Sequence, residues 1–556
     1  MSKDDSKKSR SRIEKQAIGK VDEGADVIEL ITELDLSPYQ SHGDTYDVWH
    51  ASYPFEAMLR VLYLKELMGY SDTDLHRRLT ENLREAEALG LEEVPSRTTF
   101  GRTWRNRLSR EFRNRVQHTT HRILEYSKEQ GNPIGLQAIE PEEKANSSPR
   151  TQDRFINRKA KEVTEEMQRL VFPAFEFNRA ENAHYDSDAF YELQGHLGLS
   201  SSAAESGTDL FSDDTIREDL PDADTHLHNI KRLDPEKVQK MVDEGICRMV
   251  TQARQHLQFN RPVDVAIDMT YVPYYGDRDE LEMVMGAPGT KSYGWCYKFA
   301  TLTVVGENVK FTLAMRPVQK GDLVGEIVRD LLRDAREHVS ISTAYADSEF
   351  CSVDSIRALE GAGVRFVIPS PKNKRVKREI GRMKRDIEVR EGYAIYGSVS
   401  GGGTQERAAA TLVLLPSMKD EESTVAFMTN KDVKAGTETE RKYTKRVIER
   451  YSRRWGIENS YKTIKEFLAW TTSKDFTVRL FYFGFAVLLY NMWLLVYLLV
   501  QLSLDIKHRY KPRVTAKRFL DLARKQLSKT RINLAPTGHA RTERGITMLF
   551  SRLLLS

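Results

Sequence analysis

The chain has 556 residues, of which 40% are hydrophobic and 30% charged, enough for several domains and at least one large core. A formal net charge of only +4 does not by itself argue for a nucleic-acid partner, so that case rests on where the positive charge sits. Cys247, Cys296 and Cys351 are odd in number, widely spaced and without a C-x-x-C. They speak against a disulfide framework or a structural zinc site and fit a reducing cytoplasm. The N-terminal MSKDDSKKSRSR has no apolar h-region, so no secretory signal is expected.

Residues 1–25 are polar and mixed in charge and read as a disordered arm. Residues 26–130 read as an all-helical domain. Tyr53-Pro54 precedes FEAMLRVLYLKELMG, which stops at Gly69, and Ser71 caps DTDLHRRLTENL. A third helix starts after Pro95-Ser96. Along it Phe100, Trp104 and Leu108 recur at i, i+4 and i+8, while Arg102, Arg105, Arg110 and Arg113 gather opposite. Seven arginines against the single acid Glu111 make RTTFGRTWRNRLSREFRNRV a candidate DNA-facing helix, with Arg102 and Arg105 on phosphates. Residues 131–232 are polar and poorly periodic and read as an insertion or partly disordered linker. His226 and His228 lack partner ligands at metal-binding spacing.

From 233 to 375 the pattern changes. Asp234-Pro235 opens a helix running to about Leu257 by N-cap and N1 chemistry. PVDVAIDMT, YGWCYKFATLTVV and VKFTLAMRP read as strands, GDLVGEIVRDLLRDAREH as an amphipathic helix, STAYAD as a strand, SVDSIRALEGAG as a helix and VRFVIPS as a strand. Three strands, helix, strand, helix, strand is the order of an RNase H-like α/β fold, with Asp268 at the end of the first strand and Asp347 at the end of the fourth. Lys372 to Arg385 carries eight Lys or Arg against Glu379, a candidate phosphate track that includes Lys372, Lys374 and Arg375. Residues 376–440 read as a β-rich insertion and 441–505 as the second part of the core. Leu480 to Val500 is apolar for 21 residues apart from Asn491, long enough to cross a membrane. A helix buried on all sides of a large domain reads the same way, and is the expectation here. Residues 506–556 form a basic tail, with ten Lys or Arg against Asp521 between Lys507 and Arg531, open to DNA contact or to dimerisation through FLDLARKQL.

The stretch YSRRWGIENSYKTIKEF organises the rest. On an α-helix Tyr451, Arg454, Glu458 and Lys465 fall within an arc of about 60°. A carboxylate flanked by cations at one and two turns suits a site that holds a divalent metal and a phosphodiester together, with Glu458 on the metal, Arg454 and Lys465 on phosphate oxygens, and Tyr451 packed against or hydrogen-bonded to the same phosphate. The spacing Y-x(2)-R-x(3)-E-x(6)-K resembles the signature of one subgroup of DDE-type insertion-sequence transposases, and all four positions match. So do Asp268-x-Thr270 followed by VPYYG, Lys320-Gly321-Asp322 and Asp347-x-x-Phe350.

The resemblance implies that Asp268, Asp347 and Glu458 are the catalytic carboxylates, on an RNase H-like core with a β-rich insertion and an N-terminal helical domain that reads the element's ends. It also places an Asn-x-Trp in the apolar helix, here Asn491 and Trp493, which supports a core helix and no membrane. Three converging carboxylates repel one another unless cations neutralise them, so two Mg²⁺ or Mn²⁺ ions are expected. The implied activity is metal-dependent DNA cleavage and strand transfer at the terminal inverted repeats of the protein's own mobile element, in the cytoplasm. Double-stranded end and target DNA are the expected partners, and a homodimer forms when two ends meet. The competing class is a catalytically inactive, transposase-derived DNA-binding protein. Hairpin-forming members hold a flipped base with a tryptophan in the insertion. No Trp occurs between Trp295 and Trp455, leaving Tyr393, Tyr396 and Phe427 as the aromatics for such a role.

Overall fold

The computed structural model describes residues 12–36, 39, 46, 52–130, 134–135, 149–171, 177, 184–215, 217, 219–256, 259, 261–276, 283–289, 291–306, 310–397, 406–417, 423–503 and 514–527. Residues 12–23, expected within a disordered arm, are instead the helix Arg12–Glu23, which buries Ile13, Ala17 and Val21 at helical spacing. This helix and those at Phe55–Met68, Asp72–Glu81 and Arg110–Glu129 close around a hydrophobic cluster of their own, drawn from residues 13–134. Gly69 ends its helix in the left-handed conformation (φ 66°). Ser71 and Asp74 form a reciprocal capping box.

The second and larger core is built on one nine-stranded mixed sheet. Its strands are β1 (Val263–Tyr274), β2 (Met285–Gly286), β3 (Trp295–Val305), β4 (Thr312–Val318), β5 (Ile341–Ala346), β6 (Arg365–Pro369), β7 (Glu388–Tyr396), β8 (Arg407–Pro416) and β9 (Thr424–Thr429). The order is β2-β3-β1-β5-β6-β9-β8-β7, with β4 also on β3. β1 is antiparallel to β3 and parallel to β5, and β5 is parallel to β6. The chain crosses between the parallel strands through the helices Val324–His338 and Val353–Gly361. β7, β8 and β9 do not form a separate body: β9 pairs with β6, so residues 388–429 extend the central sheet.

Residues 149–231, read as a linker, carry the helices Pro149–Leu170, Ser187–Ser200, Ala204–Asp214 and Ala223–Lys231. Asp186 and Asp222 cap two of them by accepting from Ala189 N and Thr225 N. Phe155, Ile156, Ala160 and Val163 bury one helical face, and Phe190, Leu193 and Leu197 another. The polar composition had hidden this periodicity. His226 is fully buried, bonded to Gln194 (2.9 Å), and burial lowers its pKa to about 3, so it is a neutral core histidine.

Pro149–Leu170, Ser187–Ser200 and Ala223–Lys231, together with Pro235–Gln255, wrap the apolar helix Phe476–Ser503, and the tail helix Ala516–Leu527 packs on Pro149–Leu170 and Ser187–Ser200. The membrane-length segment of this apolar helix is 94% buried inside the fold. Asn491 explains its one polar position: it accepts from Thr312 N (3.0 Å) and donates to Thr312 O (2.8 Å), satisfying a strand backbone from inside the core. Phe483 stacks on Phe299 of β3 at 4.3 Å.

Candidate active site

β1 and β5 are paired in parallel as far as Ile267 and Ala346, so Asp268 and Asp347 are the next residues on adjacent strands, about 4.8 Å apart in strand spacing. There the strands part. β5 stops, and Asp347 caps the short turn Ser348–Phe350, its Oδ1 accepting from Ser348 N at 2.6 Å. β1 does not end at Asp268 as expected from sequence. It continues to Tyr274 because residues 269–274 keep pairing with β3. Pro273 lies in this stretch, which has no β5 partner and so tolerates a missing N–H.

The helix edge expected over residues 451–465 is broken. Arg450–Arg454 is a 3₁₀ turn, and the α-helix starts at Trp455 and runs to Glu466. Arg454 and Glu458 still meet: Arg454 Nη2 is 2.7 Å from Glu458 Oε1, and Nη1 is 3.3 Å from Asp268 Oδ2. Arg454, only 7% exposed, therefore links the strand carboxylate to the helix carboxylate through its guanidinium. Burial would lower its pKa, but Tyr451, Asp268, Asp347 and Glu458 outweigh that and raise it. Burial pushes Asp268 up to about 6; the Met269 N–H and Arg454 oppose the shift, and Asp347 and Glu458 add to it.

Among the described residues no three His, Cys, Asp or Glu side chains are gathered into a ready metal cage. The cation among the acids is Arg454. The donor chemistry nevertheless suits a hard divalent ion: three carboxylates facing one guanidinium leave a net negative charge once Asp268 ionises. Arg454 Nε is buried and has no hydrogen-bond partner among the described residues.

Tyr451 is half-buried, edge-on to Phe427 at 5.1 Å, with the Arg454 guanidinium 5.5 Å from its ring centre. Burial raises its hydroxyl pKa. Phe427 is thereby packed away and is not an open stacking platform. Lys465 is exposed and donates to Tyr271 O at 3.2 Å. The reading from sequence missed Tyr461, one turn beyond Glu458. Its hydroxyl donates to Asp268 O (2.7 Å) and meets Thr301 Oγ1 (2.8 Å). The usable signal was its i+3 spacing from the carboxylate.

Of the outlying basic residues, Arg102 is exposed, but Arg105 is not turned to solvent. The third helix is interrupted by a π turn at Thr103–Arg107 and ends at extended Leu108. The π turn sends Arg105 inward to Asp72 (3.5 Å) and Glu337 (4.0 Å). A Cβ at Gly101 would lie 2.1 Å from Arg105 Nη2 and 2.5 Å from Asp72 Oδ2, so that contact needs glycine. The side chain of Arg110 lies outside the described residues. Lys372, Lys374 and Arg375 are exposed. Asn373 caps the helix Lys374–Ile380, and the Arg375 guanidinium lies 4.2 Å from the Tyr396 ring centre. Lys374 and Arg375 border a cavity shared with Cys351 and Ser352, which brings the basic block close to the Asp347 turn.

Residues 260–492 match the family described as Transposase DDE domain, and residues 20–107 match the Transposase domain (DUF772). No curated protein matches. Among solved structures, the cryo-EM structure of the piggyBac transposase synaptic complex with hairpin DNA is similar at 16% identity and a TM-score of 0.42, over 69% of this chain and 82% of that one. The two family matches support a DDE-type insertion-sequence transposase.

Proposed function

We propose that the chain cleaves DNA at the ends of its own mobile element and transfers the freed strands to target DNA, using Asp268, Asp347 and Glu458 on an RNase H-like core. The observation that carries this reading is the parallel register that makes Asp268 and Asp347 neighbours, with Glu458 joined to Asp268 through Arg454. DNA binding alone has no use for three carboxylates at this spacing, since each repels the phosphate backbone.

The three carboxylates would hold two Mg²⁺ or Mn²⁺ ions, which when bound activate a water or 3′-hydroxyl and stabilise the leaving oxygen. Arg454, whose Nε–H has no acceptor among the described residues, would donate to a phosphate oxygen while its Nη atoms hold Asp268 and Glu458 in place. Lys465, one residue short of the helix end, contributes a second cation on the same side of β1. Tyr451 supports Arg454 by packing under it. Arg102 in the N-terminal helical unit and Lys372, Lys374 and Arg375 beside the Asp347 turn supply backbone contacts, whereas Arg105 serves to dock that unit onto the core. Bringing two ends together requires at least a dimer on DNA.

Incubating the purified chain with the DNA that flanks its gene, in the presence of Mg²⁺, tests the proposal. Nicking at the element boundaries is expected. Binding without nicking would instead favour a DNA-binding protein that has lost catalysis.

A further inference from the structure

A second charged cluster lies at the other end of the same strands. β1, β5 and β6 align Asp264, Thr343 and Arg365 in one row across three neighbouring strands. Residues in register on adjacent strands share a face, and the 3₁₀ turn Arg450–Arg454 lies over it: Arg453 Nη1 is 2.7 Å from Asp264 Oδ2, as Arg454 is paired with Asp268 four residues on. Gly306, at φ 77°, makes room for Arg453; a Cβ there would stand 3.0 Å from Arg453 Cδ. Tyr345 OH adds a 3.3 Å bond to Asp264.

Asp264 is thus fully engaged, yet Arg365, Lys431 and Arg450 sit around the same point. Among the described residues the side chains of these three make no hydrogen bond or ion pair. Burial and the arginines 450, 365 and 453 hold the Lys431 ammonium below its ordinary pKa in spite of Asp264. The acids next to the cluster in sequence are not paired with it: Glu449 pairs with Lys445 (3.9 Å), and Asp432 makes no ion pair among the described residues. Four cations against one occupied carboxylate form an unbalanced site that an anion would relieve.

Resting on the reading above, we infer that Arg365, Lys431, Arg450 and Arg453 form a second phosphate site that holds the backbone of duplex DNA continuing away from the carboxylates. Asp264 and Asp268 are four residues apart on one strand, roughly 13 Å at 3.3 Å per residue. That length matches about four nucleotides at 3.4 Å each. One rigid turn would then bind the same duplex at both points, and the register between them would set which phosphate meets the carboxylates.

The test measures binding of the full chain to a random-sequence duplex by fluorescence anisotropy, in EDTA and across a KCl series. A triple variant, Arg365→Gln, Lys431→Gln and Arg450→Gln, is compared with wild type and with Lys431→Gln alone. Each lost phosphate contact should reduce the slope of log K against log salt by about 0.9. The expected result is a slope lower by about 2 to 3 for the triple variant and by about 1 for Lys431→Gln, with thermal unfolding at the same or a higher temperature because like charges are removed. A slope equal to wild type overturns the inference, and so does weaker binding at an unchanged slope. Failure to nick flanking DNA while the slope still falls would overturn the catalytic reading and leave this site standing.

Discussion

Tyr461 sits over the cross-strand pair Asp268 and Thr301, its hydroxyl bonded to the main-chain oxygen of one and the side chain of the other. The helix bearing Glu458 is therefore fastened to the strand bearing Asp268 at the level of the carboxylates. Tyr461→Phe keeps the ring and deletes both bonds, which should cost about 1–2 kcal/mol of stability. It should slow DNA nicking while leaving duplex affinity unchanged. Stability and nicking both equal to wild type would show that the fastening is dispensable.

Asp268→Asn, Asp347→Asn and Glu458→Gln keep shape and remove charge. If the three act as one metal-binding unit, each should lower nicking by roughly 10³-fold or more, because loss of any member disables the whole. Duplex binding should be equal or tighter, since a negative charge near the phosphates is gone. Gel-based nicking assays alongside anisotropy measure both; near-normal nicking by Glu458→Gln would mean that another acid is the third ligand.

The raised pKa of Asp268 gives a pH dependence of definite sign. Between its ordinary value of 3.8 and its folded value of about 6, the folded chain keeps a proton that the unfolded chain has released. This group therefore favours folding most below about pH 4, and its contribution is lost as pH rises through 6, by up to about 3 kcal/mol. In EDTA the melting temperature of wild type should fall relative to Asp268→Asn between pH 4 and 7. Mg²⁺ affinity should rise over the same window as the carboxylate forms. A constant difference in melting temperature would contradict the shift.

Arg454 is the counter-ion of two carboxylates in a largely dry setting. Removing one partner of a buried pair leaves uncompensated charge, and with Glu458 partly exposed the loss for Arg454→Ala should be about 2–4 kcal/mol. Saturating Mg²⁺ or Mn²⁺ should restore much of it by binding the folded state. Chemical denaturation with and without metal measures the effect. A metal-independent loss would mean that the carboxylates are not the site of binding.

Asn491→Leu tests the core helix. The substitution is more apolar yet strands the Thr312 N–H and C=O in the interior, at about 1–3 kcal/mol for each unmet group. A stability loss of about 2–4 kcal/mol is expected, read from urea unfolding; a neutral or stabilising result would mean that water satisfies Thr312.

The order of strands and helices from 263 to 369 was legible because alternation and amphipathic periodicity report which faces are buried; Asp268 and Asp347 could be picked out from strand ends in that order, and Glu458 from the spacing of Tyr451, Arg454, Glu458 and Lys465 and the family it resembles. What surrounds them could not. Where β1 ends depends on β3, which pairs on to Tyr274 after β5 has stopped, and pairing partners are non-local. The helix edge from Tyr451 assumed uniform 3.6-residue turns, whereas the seating of Arg453 on Asp264 and Arg454 on Asp268 goes with a tighter turn up to Trp455. Arg105 looked solvent-facing by spacing alone, until a π turn and the absent side chain of Gly101 brought it to Asp72. The apolar run around Asn491 satisfied the length rule for a membrane and was decided by the helices packed around it. Local patterning records which side of an element is buried; which charges face one another is set by contacts between residues far apart in sequence, as between Asp268 and Arg454, 186 positions apart.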